Sequence, residues 1–375
     1  MVLETTSSPN AAALQRVTVI VPTFRRPNSV VRQAAYWADR GPSVVILDGS
    51  PEPISGDTVS AFARNITYVH STTSFSHRRM IAGGFIRTEF AILLPDDEFH
   101  LESGLCDCIN FLDRNPHVIG CGGKVLGFFV EQGEFRAFHA YEDWQRYPDL
   151  CLTLRDRLDF ALPPNKAHKV EFSLFRSQSW KTIFSESYNK EYSCGFTYER
   201  LLNLYAAVLG RTELVDSVLW MRSLENPPTH SADAPRLDRH SFVAWATSGE
   251  FQQEVDHYFL KARKILATAG ELTHEELDWY AERFLFGGVE RQRQKEARNA
   301  RKLTRKLGKV AVTRAPRFIK LLAKRILPPR MLGFTGWRGD RLEAVLELMR
   351  SKQIHVSRAE LERVAEFALN SARAR

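Results

Sequence analysis

The chain has 375 residues, 44% of them hydrophobic and 26% charged, so it is long enough for one large catalytic domain and a smaller addition. No apolar run reaches the roughly 18 residues of a membrane span, and residues 1–15 lack the basic cluster and apolar core of a secretory signal. We therefore expect neither a membrane span nor a secretory signal, and hence a cytoplasmic protein. The five cysteines form no paired C-x-x-C spacing, so we expect reduced thiols and no structural zinc.

The formal net charge of +8 is unevenly distributed. Residues 291–330 contain 15 Lys or Arg and a single acid, Glu296, a local charge of about +14, so the rest of the chain is net acidic at about −6. The basic character therefore belongs to one C-terminal segment. Its candidate partners are nucleic acid and an anionic membrane surface.

Apolar runs and helical stretches alternate over the first hundred residues. The pattern predicts buried strands at residues 17–21, 44–47, 66–70 and 90–94, with helices at 29–40 and 76–87. Strands that are apolar throughout, separated by helices, indicate an α/β fold with a mostly parallel central sheet covered on both faces. Ligands of such sheets bind beyond the carboxyl ends of the strands.

The second half is less regular. We predict helices at 101–115, 142–159 and 197–209, and strands at 118–130, 135–139, 169–175 and 214–221. Everything beyond residue 228 looks helical, with capping boxes at Thr273/Glu276 and Ser357/Glu360. The predicted organisation is a flexible arm (1–15), a catalytic domain (16–230), a helical region packed on it (231–290) and a basic helical extension (291–375).

Three of the predicted strands end in polar clusters: P-T-F-R at 22–25, D-G-S at 48–50 and D-D-E at 96–98. A single cluster of this composition is typical of a solvated turn. In parallel strands, however, all three reach the same edge of the sheet. There Asp48 can accept hydrogen bonds from a base or ribose, Arg25 can face phosphate, and the acids can hold a hard divalent cation.

The segments V-T-V-I-V-P-T-F-R-R, V-V-I-L-D-G-S and F-A-I-L-L-P-D-D-E-F resemble those of family 2 inverting glycosyltransferases with the GT-A fold, over residues 16–225. The resemblance implies a metal site at the position of the family's D-x-D motif, with Glu in place of the final Asp, and Mg²⁺ or Mn²⁺ as cofactor. The metal ligands that it implies are Asp96 and Glu98. The donor-binding residues that it implies are Pro22, Thr23, Arg25, Asp48 and Asp97.

Further basic residues lie where the family places donor or metal contacts. In H-R-R at 77–79, Arg79 is expected to face the donor phosphates, although a solvated basic face is an equal alternative. Arg222 and His230 lie where related enzymes close the site with a basic residue or a histidine ligand. His230 is therefore a further candidate metal ligand, although a loop histidine is more often only exposed.

An inverting transfer needs a general base that removes the proton of the acceptor hydroxyl. The family places an acid about 100 residues beyond the metal motif at the start of a helix, which corresponds to Glu199 in this sequence. The family usually has Glu-Asp there, whereas this chain has Glu199 followed by Arg200. Asp143 and Glu171 are weaker alternatives.

Within the basic segment, apolar and basic residues separate onto two sides of a helix. One side carries Phe318, Ile319, Leu322 and Ile326, and the other carries Arg317, Lys320, Lys324 and Arg325. This pattern is typical of a helix in a membrane interface, and a helical oligomerisation arm is the alternative. Nucleic acid is disfavoured because the interleaved residues are mainly aliphatic rather than aromatic residues for base stacking, and the segment has no RNA or DNA motif.

These observations predict a metal-dependent inverting glycosyltransferase, which transfers sugar from a nucleotide-sugar donor to a glycan or lipid-linked acceptor in surface polysaccharide assembly. It would be cytoplasmic and peripheral on the inner face of the membrane. A sugar nucleotidyltransferase is the first alternative, but the first strand lacks the Gly-rich phosphate loop of such enzymes. A noncatalytic membrane or nucleic-acid adaptor is the second, against which the intact acids argue.

Overall fold

The structure is a computed structural model that describes residues 9–144, 146–147, 153–162, 170–226, 240–287, 289–290, 293 and 339–373. The predicted metal ligand His230 lies outside these residues. The same holds for the basic segment 291–330, apart from residue 293.

The described strands are β1 (Val17–Thr23), β2 (Ser43–Asp48), β3 (Ile66–His70), β4 (Phe90–Leu93), β5 (Phe99–His100), β6 (Val118–Glu131), β7 (Glu134–Ala140), β8 (Leu174–Arg176) and β9 (Arg211–Ser223). The described helices are α1 (Pro9–Leu14), α2 (Pro27–Trp37), α3 (Gly56–Ser60), α4 (Phe75–Ile81), α5 (Glu102–Arg114), α6 (Leu154–Ala161), α7 (Ser177–Ser187), α8 (Phe196–Leu209), α9 (Phe242–Thr247), α10 (Gln252–Ala267), α11 (residues 274–287), α12 (Leu342–Ser351) and α13 (Arg358–Arg373).

All nine strands form one sheet in the order β3-β2-β1-β4-β8-β6-β9-β5, and β7 pairs with β6. Strands β1 to β4 are parallel, as are β6 and β9, whereas β8, β7 and β5 pair antiparallel with their neighbours. The β6–β7 connection is a two-residue turn in which Gln132 and Gly133 both have positive φ, the geometry that matches the twist of a hairpin. The predicted α/β sheet with C-terminal helices is confirmed.

Apart from Thr18 and Thr23, strand β1 is apolar because both faces of the sheet are covered. Val17, Val19 and Val21 belong to a core that includes residues of α2 and α5, whereas Ile20 belongs to the opposite core with residues of α7 and α8. A run of β-branched apolar residues favours a strand that is buried on both faces of the sheet.

Several predicted elements differ in extent. The helix predicted at 76–87 ends at Ile81 and continues as a 3₁₀ turn at Ala82–Phe85, where two successive glycines disfavour an α-helix. The helix predicted at 142–159 begins only at Leu154, and the strand predicted at 169–175 is a 3₁₀ turn followed by β8. The sequence pattern predicts neither strand β5, which is only two residues long, nor helices α1, α3 and α7.

The last two helices pack on the same core as β1. Val345, Met349, Leu361 and Val364 are buried in that core, and the segment before α12 forms a β-bridge from Asp340 to β7. Residues 342–373 therefore contribute to the core, whereas the predicted division at residues 231 and 291 remains a prediction.

The two predicted capping boxes have different outcomes. Thr273 and Glu276 exchange both hydrogen bonds, at 2.8 and 3.3 Å. In the second, Ser357 caps the Glu360 amide, but the Glu360 carboxylate instead accepts hydrogen bonds from the Ser103 amide, at 2.9 Å, and from the Ser103 hydroxyl. Glu360 thereby caps the start of α5 and ties α13 to it.

Within the described ranges no helix is both long and apolar enough to cross a bilayer. The four cysteines in these ranges are free and buried, as expected for reduced thiols.

We predict that Glu360→Ala lowers the free energy of unfolding by about 1 kcal/mol, because the Ser103 amide loses its cap. Urea denaturation of the full-length protein measures the change. Glu362→Ala is the matched control on the same helix, since Glu362 makes only a 3.5 Å contact with Arg358 at the surface and should change stability by less than about 0.5 kcal/mol. Equal effects of the two substitutions would contradict the capping role.

Candidate functional site

The carboxyl ends of β1, β2 and β4 meet at one edge of the sheet. Thr23 and Asp48 are paired in the β1/β2 register, and the Gly49 amide donates to the Thr23 carbonyl at 3.0 Å. The Thr23 hydroxyl donates to Asp96 Oδ2 at 2.6 Å. The three polar clusters that follow separate strands in the sequence are therefore adjacent in space.

The acidic triplet that follows β4 is buried: Asp96 is 4% exposed, and Asp97 and Glu98 are each 8% exposed. Arg26 Nη1 lies 2.8 Å from Asp96 Oδ1 and 3.3 Å from Asp97 Oδ2. Asn226 Nδ2 donates to Asp97 Oδ2 at 2.5 Å. One guanidinium thus bridges the two aspartates, and a neutral donor orients the second of them.

Glu98 points into a separate environment, where its carboxylate accepts a hydrogen bond from the indole of Trp220. Burial raises the pKa of Glu98 well above its ordinary value, and the charge of Asp97 adds to the effect while Arg222 opposes it. Burial and the charge of Asp97 likewise raise the pKa of Asp96 to about 6. For both groups burial is the larger cause and repulsion from Asp97 the smaller one, so the ionised carboxylates of this turn require a nearby positive charge.

Helix α2 fixes the backbone of the triplet. The Gln33 side chain donates to the Asp96 carbonyl at 3.2 Å and to the Glu98 carbonyl at 2.6 Å, and the Tyr36 hydroxyl donates to the His100 carbonyl at 2.9 Å. Gln33 and Tyr36 are fully buried. The sequence pattern offered a signal for Gln33, because it lies on the buried side of α2 among Val30, Ala34 and Trp37.

At the end of β2, three donors orient the Asp48 carboxylate. The amide and hydroxyl of Ser50 donate to Oδ1 at 2.8 and 2.5 Å, and the Tyr68 hydroxyl donates to Oδ2 at 2.6 Å. Burial and this last bond raise the pKa of Tyr68 to about 12. Ser50 also accepts the Arg25 amide at 2.7 Å, which joins the β1 and β2 ends. A ligand would therefore meet a carboxylate of fixed orientation.

Arg79, expected to face donor phosphates, lies in a buried ion pair. Its guanidinium is 2.6 Å from Glu171, donates to the Tyr188 hydroxyl and lies over the Phe75 ring at 4.1 Å. These contacts give Arg79 a carboxylate partner and an aromatic partner within the fold.

The neighbouring Arg78 lies beside the β2 end instead. It is 5% exposed, and its guanidinium lies so close to Gly49 that a Cβ atom there would be 2.0 Å from Cζ. Burial lowers the pKa of Arg78, although the charge of Asp48 favours its protonated form. Among the described residues it forms no ion pair: Nη1 donates to the Thr73 carbonyl, and Nε has no hydrogen-bond partner. A buried cation in this state suits an anionic ligand.

The two arginines after β1 also differ. Arg25 has a φ of 55°, is exposed and lies over the Phe24 ring, whereas Arg26 turns towards the triplet. Both line a cavity of about 340 Å³ at the start of α2, together with Pro27, Asn28, Ser29 and Asn226. Pro22, also expected at the donor, lies half-buried in β1 opposite Leu47.

Glu199 lies half-buried in the first turn of α8. Burial raises the pKa of Tyr188, the charge of Glu171 adds to this effect, and the charge of Glu199 makes a smaller contribution. Its neighbour Tyr198 accepts a 2.7 Å hydrogen bond from Ser76, so the starts of α8 and α4 are adjacent. Of the two weaker alternatives, Glu171 is paired with Arg79, and Asp143 is exposed in the turn after β7.

Two of the three acids of the triplet are positioned to bind a divalent cation. Asp96 and Asp97 converge on one position, now held by Arg26, whereas Glu98 is bonded to Trp220. In the part of the chain that the structure describes, no group of three or more His, Cys, Asp or Glu could hold a metal. Mg²⁺ usually takes only one or two carboxylates and completes its shell with phosphate and water. Asp96 and Asp97 satisfy that requirement if Arg26 withdraws.

The sequence did not point to six residues that contact or orient the strand-end clusters, one of which is Tyr68, which donates to Asp48. Two of them, Arg26 and Arg78, stand next to arginines that were singled out, and the local sequence has no signal that tells the neighbours apart. The other three reach the triplet from distant segments: Gln33, Trp220 and Asn226.

No known protein family and no curated protein sequence matches this chain. It is similar to crystal structures of S. aureus TarS. TarS 1–349 in complex with UDP-GlcNAc has a TM-score of 0.46 at 16% identity, covering 72% of this chain and 71% of that chain. The same TarS fragment with UDP has a TM-score of 0.43 at 15% identity, covering 72% and 70%. At these values the likeness identifies neither a family nor an activity.

We predict that Arg79→Met lowers the free energy of unfolding by about 3 kcal/mol, because the buried Glu171 carboxylate loses the guanidinium that lies 2.6 Å from it. Arg78→Met is the matched control: it removes the same charge from the next residue, which has no carboxylate partner among the described residues, and should cost less than about 1 kcal/mol. Urea denaturation measures both. A larger loss for Arg78→Met would show that the two roles are reversed.

Proposed function

We propose that this chain is a glycosyltransferase that transfers a sugar from a nucleotide-sugar donor. The observation that carries the proposal is the convergence of three strand ends, in which the Thr23 hydroxyl bonds Asp96 while Asp48 lies next to Thr23 in the β1/β2 register. The edge thus presents an oriented carboxylate, a buried arginine and an acidic pair. These are the groups that a ribose, a diphosphate and its counterion require.

Donor binding follows from the positions of the side chains. Asp48, held by Ser50 and Tyr68, accepts hydrogen bonds from the base or the ribose. Arg78 and Arg25 supply positive charge for the diphosphate, with Arg78 replacing Arg79 in the role first expected. Thr23 acts chiefly by orienting Asp96.

We extend the proposal to a divalent cation, Mg²⁺ or Mn²⁺, held by Asp96 and Asp97. When bound, such an ion stabilises the negative charge of the departing nucleoside diphosphate. Thr23 and Asn226 keep the two carboxylates oriented toward one point. Glu98 lies in the same turn but accepts a hydrogen bond from Trp220, and His230, outside the described residues, stays a candidate for a further ligand.

We further propose that transfer inverts the anomeric configuration, with Glu199 as the general base. The start of α8 favours an anionic side chain because of the helix dipole. The Tyr198–Ser76 bond places this turn beside α4, the helix that carries Arg78. In this role Glu199 takes the proton from the acceptor hydroxyl while that oxygen attacks the anomeric carbon and the diphosphate leaves. The acceptor that we propose is a glycan or a lipid-linked glycan.

We predict that Asp97→Asn reduces donor hydrolysis at least about a hundredfold, since the isosteric amide keeps the Asn226 contact region but removes a charge that the cation and the transition state need. The measurement is metal-dependent release of nucleoside diphosphate from a panel of nucleotide sugars. Undiminished hydrolysis by Asp97→Asn would contradict the role of the acidic pair.

Glu199→Gln is the contrasting variant in the same assay. It should bind donor as the wild type does but lose transfer to acceptor, because an amide cannot take a proton. An equal loss of donor affinity would assign Glu199 to the donor instead. Pyrophosphate release from a nucleoside triphosphate and a sugar phosphate would indicate a nucleotidyltransferase, and inactivity with every substrate would favour an adaptor.

We also propose that the basic segment 291–330 binds an anionic membrane surface peripherally. The proposal rests on sequence, where about +14 of charge accompanies an aliphatic stripe and each basic residue near such a surface contributes about 1 kcal/mol. The segment must be tested by substitution, because a truncation at residue 291 would also remove the core residues of α12 and α13.

We predict that replacing Lys320, Lys324 and Arg325 by Gln weakens co-sedimentation with phosphatidylserine vesicles by at least about tenfold at low salt. Higher salt should weaken wild-type binding, because exposed charges are screened. The matched control replaces three arginines that are exposed elsewhere on the described part of the chain with Gln, namely Arg64, Arg87 and Arg114. Equal losses would mean that net charge alone decides binding, and no wild-type binding at low salt would overturn the membrane proposal.

A further inference from the structure

The bridge between Arg26 and the two aspartates has the geometry of a cation site that is already filled. A single nitrogen, Arg26 Nη1, lies 2.8 Å from Asp96 and 3.3 Å from Asp97. Among the described residues it provides the only ion pairs of either carboxylate. The other side-chain donors to them in this part of the chain, the Thr23 hydroxyl and the Asn226 amide, are neutral. Removing the guanidinium would leave two buried carboxylates oriented but without a counterion.

The partners differ in their freedom to move. The Asp96 and Asp97 side chains are 6% and 12% exposed, whereas that of Arg26 is 35% exposed. Arg26 also lines the cavity of about 340 Å³ at the start of α2, which provides space for a displaced guanidinium. The carboxylates would keep their positions, because Gln33 holds the triplet backbone and neutral donors hold their oxygens.

Displacement must occur by movement of the side chain. Burial opposes the charge of Arg26, but the charges of Asp96 and Asp97 outweigh it and raise its pKa. An arginine does not lose its proton in a protein, so it can leave the carboxylates only by rotating away. A divalent ion offers the same two carboxylates twice the charge.

We infer that Arg26 is an internal counterion that occupies the cation position of the acidic pair and that a divalent cation binds by displacing it. The inference rests on the proposed function for the identity of that cation. Once displaced, Arg26 lies with Arg25 in the cavity at the start of α2, where it faces the donor diphosphate. Donor and cation therefore strengthen each other's binding through one side chain.

The test measures Mn²⁺ affinity of the full-length protein without nucleotide, from the electron paramagnetic resonance signal of free Mn²⁺. Arg26→Gln should bind Mn²⁺ about tenfold more tightly than the wild type, equivalent to about 1.4 kcal/mol. Arg25→Gln is the matched control, since it removes the same charge from the same cavity without touching the acidic pair. It should change the affinity less than about threefold, a purely long-range effect.

A nucleoside diphosphate provides the second measurement. It should tighten Mn²⁺ binding more strongly in the wild type than in Arg26→Gln, because only the wild type has the arginine to transfer. Equal tightening in both would overturn the coupling. The counterion role would be overturned if a folded Arg26→Gln variant bound Mn²⁺ with wild-type affinity or did not bind Mn²⁺ at all. The glycosyltransferase proposal is decided separately, by donor hydrolysis with the wild-type protein.

Arg26→Lys covers the case in which Arg26→Gln does not fold. The ammonium keeps the charge but carries it on a shorter, flexible stem instead of the rigid guanidinium whose Nη1 reaches both carboxylates, so the Mn²⁺ affinity of this variant should lie between those of wild type and Arg26→Gln. Thermal denaturation with and without Mn²⁺ reports folding, and Mn²⁺ should raise the melting temperature of either variant more than that of the wild type. A Lys variant indistinguishable from the wild type in both measurements would overturn the inference.

Discussion

Three consecutive carboxylates are buried at the end of β4, and buried charge is costly unless hydrogen bonds and cations compensate it. Thr23 of β1 and Trp220 of β9 donate to carboxylates of the triplet, and Gln33 of α2 donates to its backbone carbonyls. The requirement therefore constrains how the sheet edge, the first long helix and the last strand are placed relative to one another. A fold with fewer hydrogen bonds or cations at the triplet would be less stable at the sheet edge that carries the candidate site.

The constraint extends to the C-terminal helices. Helix α2, which holds the triplet backbone, is itself covered by α13, where Arg363 lies 4.7 Å over the Tyr36 ring and Phe367 packs against the same ring. Glu360 on α13 caps α5, the helix that follows β5 directly after the triplet. Segments more than two hundred residues from the acids in sequence thus support the turn that carries them.

Neighbouring arginines have different roles because small changes in backbone direction select different partners. The positive φ of Arg25 turns its side chain outward over Phe24, so the next residue, Arg26, meets the acids. On α4, successive positions lie about 100° apart around the helix. Arg79 therefore enters the apolar interior with Glu171, whereas Arg78 lies against Gly49. The smallest residue at position 49 is what lets a guanidinium approach the backbone so closely.

The sequence by itself determined the parallel half of the sheet and the location of the candidate site. Predicted strands such as 17–21 and 44–47 lie inside β1 and β2, because a strand buried on both faces leaves an apolar run that needs no tertiary information. Polar residues directly after such runs must share an edge, which brought Thr23, Asp48 and Asp96 together in the prediction as in the structure. The strand pairing of the second, mixed half of the sheet, the short β5 and the choice of partner for each charge were decided only by tertiary structure. The bonds of Trp220 and Asn226 to the triplet span more than 120 positions, and no local period or turn signal encodes which of two adjacent charged side chains will find a partner that far away.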